Sequence, residues 1–177
     1  DDTNLKAGEV ARITFTFSQA PVGFELGDIA VSGGTLSNFE GNGTVFTADF
    51  TPTPDINTTA TIGITDGAFN DAAGNGNVAG LLELAVNTAG PGVFITASDD
   101  ALEAGETATI TFTLSEPSLG FTADDIVVTG GTLSGFTGSG TSYTALFTPN
   151  PDSSEQAAVS VAAGTFTNAD GNPNKLP

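Results

Sequence analysis

The stretch GGTLSNFEGNGTVFTADFTP, residues 33–52, is written a second time as GGTLSGFTGSGTSYTALFTP at residues 130–149. The copies lie 97 positions apart with their glycines in step, and the same offset aligns residues 1–80 with 98–177 without a gap. Roughly half of the aligned pairs are identical, which is the mark of a tandem array. A period of this length is too long for a solenoid turn and suits one β-sandwich per repeat. Within the quoted stretch, Phe46, Ala48 and Phe50 alternate with polar residues, as do Tyr143, Ala145 and Phe147 in the second copy. Such alternation predicts a half-buried strand. Gly33-Gly34 and Gly130-Gly131 end the preceding strand, and Gly41/Gly43 and Gly138/Gly140 mark a hairpin loop. GNGT lacks the lysine and the following helix of a phosphate-binding loop, so these glycines read as scaffold.

The same period of two extends outward. ARITFTFS turns Ile13, Phe15 and Phe17 inward, and ATITFTLS turns Ile110, Phe112 and Leu114 inward. Ile29/Val31 with Ile126/Val128, and Ile62/Ile64 with Val159/Val161, supply two further strands per repeat. Two segments occur once. LLELAV at 81–86 closes the first repeat, with Leu82, Leu84 and Val86 inward, and GVFIT at 92–96 opens the second. The first residues, DDTNLKAGEV, read as a loop and a strand start. No opening strand precedes Asp1 and no closing strand follows Pro177, so the sequence reads as a piece of a longer chain. Each repeat is then short of an edge strand that adjoining chain would supply, by continuation or by strand addition. The expectation is an all-β protein of two tandem sandwich domains, 1–88 and 89–177. NTAGPG at 87–92 is a short linker, which favours a semi-rigid rod.

Composition bounds the function. The 177 residues include 13 phenylalanines, one tyrosine and no tryptophan, and 38% are hydrophobic. Twenty-one acids stand against Lys6, Arg12 and Lys175, for a net charge of −18. Such a chain repels phosphate backbones and anionic lipid, so neither nucleic acid nor a membrane surface is an expected partner. No apolar run approaches the ~20 residues of a membrane span, so membrane insertion is not expected either. Histidine and cysteine are both absent, which excludes Ser-His, Cys-His and His-metal chemistry. A carboxylate pair alone can hydrolyse glycosides, but nothing marks such a pair, and aromatic platforms are scarce. The chain is not expected to be an enzyme. Absence of cysteine fits a bacterial surface protein that matures without disulfides.

The pattern carried by Phe15, Ser18, Phe24, Asp28, Gly33 to Ser37, Phe50 to Pro52 and Asp71 to Asn75, with most of their partners in the second copy, resembles a bacterial immunoglobulin-like repeat. The resemblance covers nearly the whole chain and implies two immunoglobulin-like sandwiches. It further implies an extender or stalk role in large secreted adhesins and biofilm-associated surface proteins. Neighbouring repeats of the same chain would be the partners, and any receptor would be bound by a domain outside this segment. Several arrays of this kind hold calcium at domain junctions. The second copy departs from the pattern at NADGN, where Asn168 stands for Asp71 and Asp170 for Ala73.

Calcium takes six to eight oxygens from carboxylates, carbonyls and amides, so the acids are its candidate ligands. Four positions are acidic in both copies: Asp2/Asp99, Glu9/Glu106, Asp28/Asp125 and Asp55/Asp152. Asp71, Asp100, Asp124 and Asp170 complete the candidate set. Chain reversal at the poles of a sandwich places Asp2, Glu9 and Asp55 where the first domain exits. It places Asp124, Asp125 and Asp170 where the second is entered. Like charges gathered there would repel unless a cation bridged them. The competing reading is that Asp before a strand or after Pro caps a turn through its own backbone, with no metal. Two rival functions stand beside the stalk: recognition of a glycan or host protein through exposed loops, and assembly into an extracellular filament.

Overall fold

The computed structural model describes residues 4–103, 105–151 and 156–176. The chain divides into two compact units, Asp1–Ala89 and Gly90–Pro177. In the first, β1 (Asn4–Lys6), β9 (Gly80–Asn87), β7 (Asn57–Ile64) and β4 (Ile29–Ser32) form one sheet in that order. β2 (Ala11–Thr16), β6 (Val45–Pro52) and β5 (Gly34–Asn42) form the other, and a short pair, β3 (Pro21–Val22) with β8 (Asn70–Asp71), lies apart. The two main sheets share a core. Leu5, Ile29, Ala60, Ile62, Leu84 and Val86 meet Ala11, Ile13 and Phe50 in one cluster. This is a β-sandwich, and the alternation read from the sequence is what fills it.

The second unit repeats the plan with one exchange. β10 (Val93–Ala97), β11 (Ala108–Leu114), β15 (Ser142–Pro149) and β14 (Gly131–Ser139) make a four-stranded sheet. β13 (Ile126–Thr129) pairs with β16 (Ala158–Val161), and β12 (Ser118–Leu119) with β17 (Thr167–Asn168). Among the described residues, the first unit thus has β1 and β9 and no counterpart of β10, and the second has β10 and no counterpart of β9.

The glycines of the opening stretch now have a cause. A Cβ at Gly34 would lie 2.5 Å from both the Phe50 ring and the Thr51 carbonyl, and one at Gly131 would meet Phe147 and Thr148 at the same 2.5 Å. In each unit the strand pair passes directly over a buried ring, so no side chain fits. Between Ser37 and Glu40, and between Ser134 and Thr137, the hairpin register slips at a bulge. The bulged residue is left-handed in both copies, Asn38 at φ 51° and Gly135 at φ 60°. Asparagine and glycine are the two residues that adopt this conformation at least cost, which explains the exchange between copies.

Three sequence readings change. Asn4–Lys6, read as loop, is a strand that pairs in parallel with Ala85–Asn87, because Leu5 completes the core beneath it. Leu82, expected inward, is 37% exposed, because the flank it faces lacks the strand that β10 provides in the other unit. The residues read as a linker are built into the units they flank. Thr88 accepts from the Ile56 N–H at 3.0 Å and donates to the Thr53 carbonyl at 2.8 Å, closing the first unit. In the second, the Gly92 N–H donates to Ser115 Oγ at 2.9 Å and the Lys175 N–H to the Pro91 carbonyl at 3.0 Å.

Candidate functional site

The strand registers order the acids along each unit. Glu9 precedes Ala11, which pairs with Phe50, and Asp55 precedes Asn57, which pairs with Asn87. Both therefore lie at the end where β9 finishes. Asp28 precedes Ile29, which pairs with Ile64, so it and Asp71 lie at the opposite end. In the second unit Asp99, Asp100 and Glu106 flank the end where β10 finishes, while Asp124, Asp125 and Asp170 flank the end where it begins. Asp2 and Asp152 lie outside the described residues. Among the described residues no three acidic side chains converge on a point that could hold a metal.

What most of these carboxylates do is hold backbone. Glu9 accepts from the Lys6 N–H at 2.8 Å and Glu106 from the Glu103 N–H at 2.8 Å, each spanning a tight turn. Asp28 accepts from the Glu25 N–H at 2.9 Å and Asp125 from the Thr122 N–H at 2.7 Å. In both copies this closes a capping box on a three-residue 3₁₀ turn. Asp99 accepts from the Ala101 N–H at 3.0 Å. Acidity at these paired positions therefore has a local reason, since an ionised carboxylate is the strongest acceptor a turn can use. Asp55 sits at φ 60°, a turn conformation that aspartate tolerates better than most residues. Asp100 and Asp124 are exposed.

The loop after β8 carries the clearest electrostatic signature. Asp71 accepts from the Ala73 and Asn75 N–H groups, each at 2.9 Å, and from Asn75 Nδ2 at 2.9 Å. These bonds, the Asn75 side chain foremost, hold its carboxyl below the ordinary value of 3.8. In the second unit Asn168 does the same work with an amide. Its Oδ1 accepts from the Asp170 N–H at 3.1 Å and the Asn172 N–H at 2.9 Å. The departure noted in the sequence is thus an isosteric exchange, and Asp170 enters as a backbone donor.

This sets an acid response. A carboxyl lowered in the folded state adds stability above its unfolded value and loses it as pH falls through the folded one. The Ala73 and Asn75 amide resonances are expected to titrate with a midpoint below 3.8, together with the Asp71 carboxyl, in a pH series followed by NMR. Asp71→Asn is expected to keep the turn, as Asn168 does, and to abolish that titration.

Two constellations escaped the sequence reading. Asn77 and Asn174, identical across the offset, each bridge a loop to the strand end before it. Asn174 Oδ1 accepts from Thr165 N–H at 2.8 Å and Phe166 N–H at 3.1 Å, while Nδ2 donates to the Ala162 carbonyl at 2.8 Å. The other is particular to the first unit: Arg12 donates to Glu40 at 2.6 Å, Thr47 at 2.9 Å and Asp49 at 3.4 Å. Thr109, Thr137 and Leu146 stand at the positions of Arg12, Glu40 and Asp49 in the second copy, so the second unit carries neither ion pair. Arg12 and Glu40 are solvent-exposed, so this network adds little stability.

The bacterial Ig-like domain model matches residues 1–86 and again 87–176. The chain belongs to the bacterial Ig-like domain family. Two domains in tandem account for the offset, for the paired cores and for the paired turn caps. No curated protein and no solved structure matches the chain. Among the described residues no helix is long and apolar enough to cross a membrane. In these Ig-like domains the residues kept in both copies include the ones that pack the core, relieve the backbone and cap the turns.

Proposed function

We propose that the chain is a non-catalytic extender segment of a large bacterial surface adhesin, located outside the cell and stiffened by calcium. The observation that carries this reading is the fate of the repeated residues. Phe24, Phe39 and Phe69, with Phe121, Phe136 and Phe166, pack into ring clusters instead of presenting a platform to a ligand. Among the repeated acids, Glu9, Asp28, Asp99, Glu106 and Asp125 brace turns. A module whose repeated positions maintain its own form is suited to spacing. The same burial weighs against glycan recognition through loop aromatics.

Calcium is proposed for the loop acids because −18 charges on 177 residues favour any ligand that neutralises them. The proposed ligands are drawn from Glu9, Asp55, Asp99, Asp100 and Glu106 at one end and Asp28, Asp71, Asp124, Asp125 and Asp170 at the other, with Asp2 and Asp152. Carbonyls and water would complete six to eight oxygens. Calcium at ~100 times its dissociation constant is expected to stabilise the fold by about 2.7 kcal/mol. Thermal unfolding at millimolar calcium against chelator, at matched ionic strength, measures this. A midpoint that does not move, together with an unchanged small-angle scattering profile, would remove calcium from the reading. A glycan array that lit up would replace the spacer reading itself.

A further inference from the structure

Four pairs in the chain join asparagine or aspartate to glycine: Asn42-Gly43, Asp66-Gly67, Asn75-Gly76 and Asp170-Gly171. Such a pair can close on itself, because the nitrogen of a residue without a Cβ meets little hindrance in reaching the Cγ of the side chain before it. Both partners in that reaction must be free to move. The Gly67 N–H is engaged, donating to the Asn77 carbonyl at 3.0 Å, and the Gly171 N–H donates to the Asn168 carbonyl at 3.1 Å. Asn75 is held from the other side. Its Nδ2 and its N–H both donate to the Asp71 carboxylate at 2.9 Å, and its carbonyl accepts from the Asp71 N–H at 2.9 Å. Asn42-Gly43 stands apart. It forms the tip of the β5–β6 hairpin, where Asn42 pairs with Val45 across a two-residue turn that Gly43 opens at φ 60°. Both residues are exposed, and among the described residues neither the Asn42 side-chain amide nor the Gly43 N–H has a hydrogen-bond partner. Asn75 is exposed as well, so restraint and not solvent access separates the two asparagines.

We propose that Asn42 is a self-modification site, at which the chain deamidates without an enzyme. The Gly43 nitrogen attacks Asn42 Cγ and gives up its proton, the Cγ–Nδ2 bond breaks, and ammonia leaves carrying that proton. Water then opens the cyclic imide at either of its carbonyls, giving aspartate or iso-aspartate. One water is consumed and one ammonia released, and nothing is oxidised or reduced. The attack requires the Asn42–Gly43 peptide to swing out of its extended conformation, and the Asn42/Val45 rung is the last one that opposes it. The far side of the turn is fixed, since the Thr44 carbonyl accepts from the Phe17 N–H at 2.9 Å. Either product places a new carboxylate two residues from Glu40, which Arg12 holds at 2.6 Å. Iso-aspartate also lengthens the main chain by a methylene, which so short a turn absorbs only by giving up a rung. The second unit is spared. Ser139-Gly140 stands at the same hairpin tip, and a serine side chain has no carbonyl carbon to attack.

The test incubates the full chain at mildly alkaline pH and maps it by mass spectrometry, with the same chain in guanidinium as the unfolded reference. In guanidinium the two Asn-Gly pairs are expected to convert at similar rates, because no fold distinguishes them. In the folded chain Asn42 is expected to convert, with iso-aspartate in excess of aspartate, while Asn75 converts about tenfold more slowly or not at all. Asn42→Ser, which copies the second unit, is expected to end the reaction at this hairpin. Ser139→Asn is expected to create a second reactive site at the matching tip. An Asn42 that stays intact in the folded chain while it converts in guanidinium would overturn the proposal. Equal rates at Asn42 and Asn75 in the folded chain would overturn it too, because restraint would then not select the site. A Ser139→Asn chain that gains no second site would count against the hairpin tip as the cause.

Discussion

Replacing Phe121 by alanine is expected to destabilise the second unit by about 3–5 kcal/mol. The residue is buried and its ring stands at the centre of an aromatic cluster: Phe166 at 4.8 Å, Tyr143 at 5.0 Å, Phe136 at 5.5 Å and Phe112 at 5.7 Å. Removing it takes away the transfer free energy of the ring. It also leaves a cavity among rigid neighbours that close in poorly, since Phe136 and Tyr143 are stacked and fixed against each other at 13°. A domain of this size is stable by roughly 5–13 kcal/mol, so the loss is a large share of the whole. The chain supplies its own reporter. Its single tyrosine lies in this cluster and tryptophan is absent, so tyrosine emission follows the second unit alone. The urea midpoint of that signal is expected to fall by about 2 M. Val127→Ala, at a position 56% exposed, is expected to move it little. Equal shifts in the two variants would mean that the ring cluster is not what holds the sheets together.

That cluster was legible in the sequence only in part, and the reason is physical. Strand periodicity announces Ile13, Phe50 and their partners because a pleated strand forces alternate residues to one side. Phe24, Phe69, Phe121 and Phe166 sit outside regular strands, where no period applies. What they share with the strand residues is recurrence at the offset of 97, Phe24 with Phe121 and Phe69 with Phe166. Recurrence also exposed the paired acids, but it could not say why they recur, because a turn cap and a metal ligand demand the same carboxylate. The hydrogen bonds of Glu9, Asp28 and their counterparts show the turn cap at four positions. β1 was missed for a different reason. Three residues carry no period, and only the parallel partner β9, some eighty positions on, makes them a strand. Leu82 was misassigned because alternation reports which face a side chain takes and not whether a neighbouring strand covers that face.

Asn174→Ala is expected to cost about 3 kcal/mol, and Asn77→Ala about 1 kcal/mol, although the two amides make similar bonds, Asn174 accepting one more, from the Thr165 N–H. Asn77 accepts from the Phe69 N–H at 3.0 Å and donates to the Thr65 carbonyl at 2.8 Å, as Asn174 does toward Phe166 and Ala162. Burial separates them. Asn174 is 3% exposed, so its removal strands the buried Phe166 N–H, at about 1–3 kcal/mol, and weakens the part-buried bonds of the Thr165 N–H and the Ala162 carbonyl. Asn77 is half-buried, and water reaches its partners once the amide is gone. Both asparagines are also tied through their own backbones, Asn174 to Phe166 and Gly164, and Asn77 to Phe69 and Gly67. The loops should therefore persist, and the loss should register in global stability and in exchange of the Phe166 and Phe69 amides. Tyrosine-detected urea unfolding measures the first variant, and hydrogen exchange at Phe69 the second. Equal costs at the two positions would show that the bonds themselves, and not their removal from water, set the energy of this clamp.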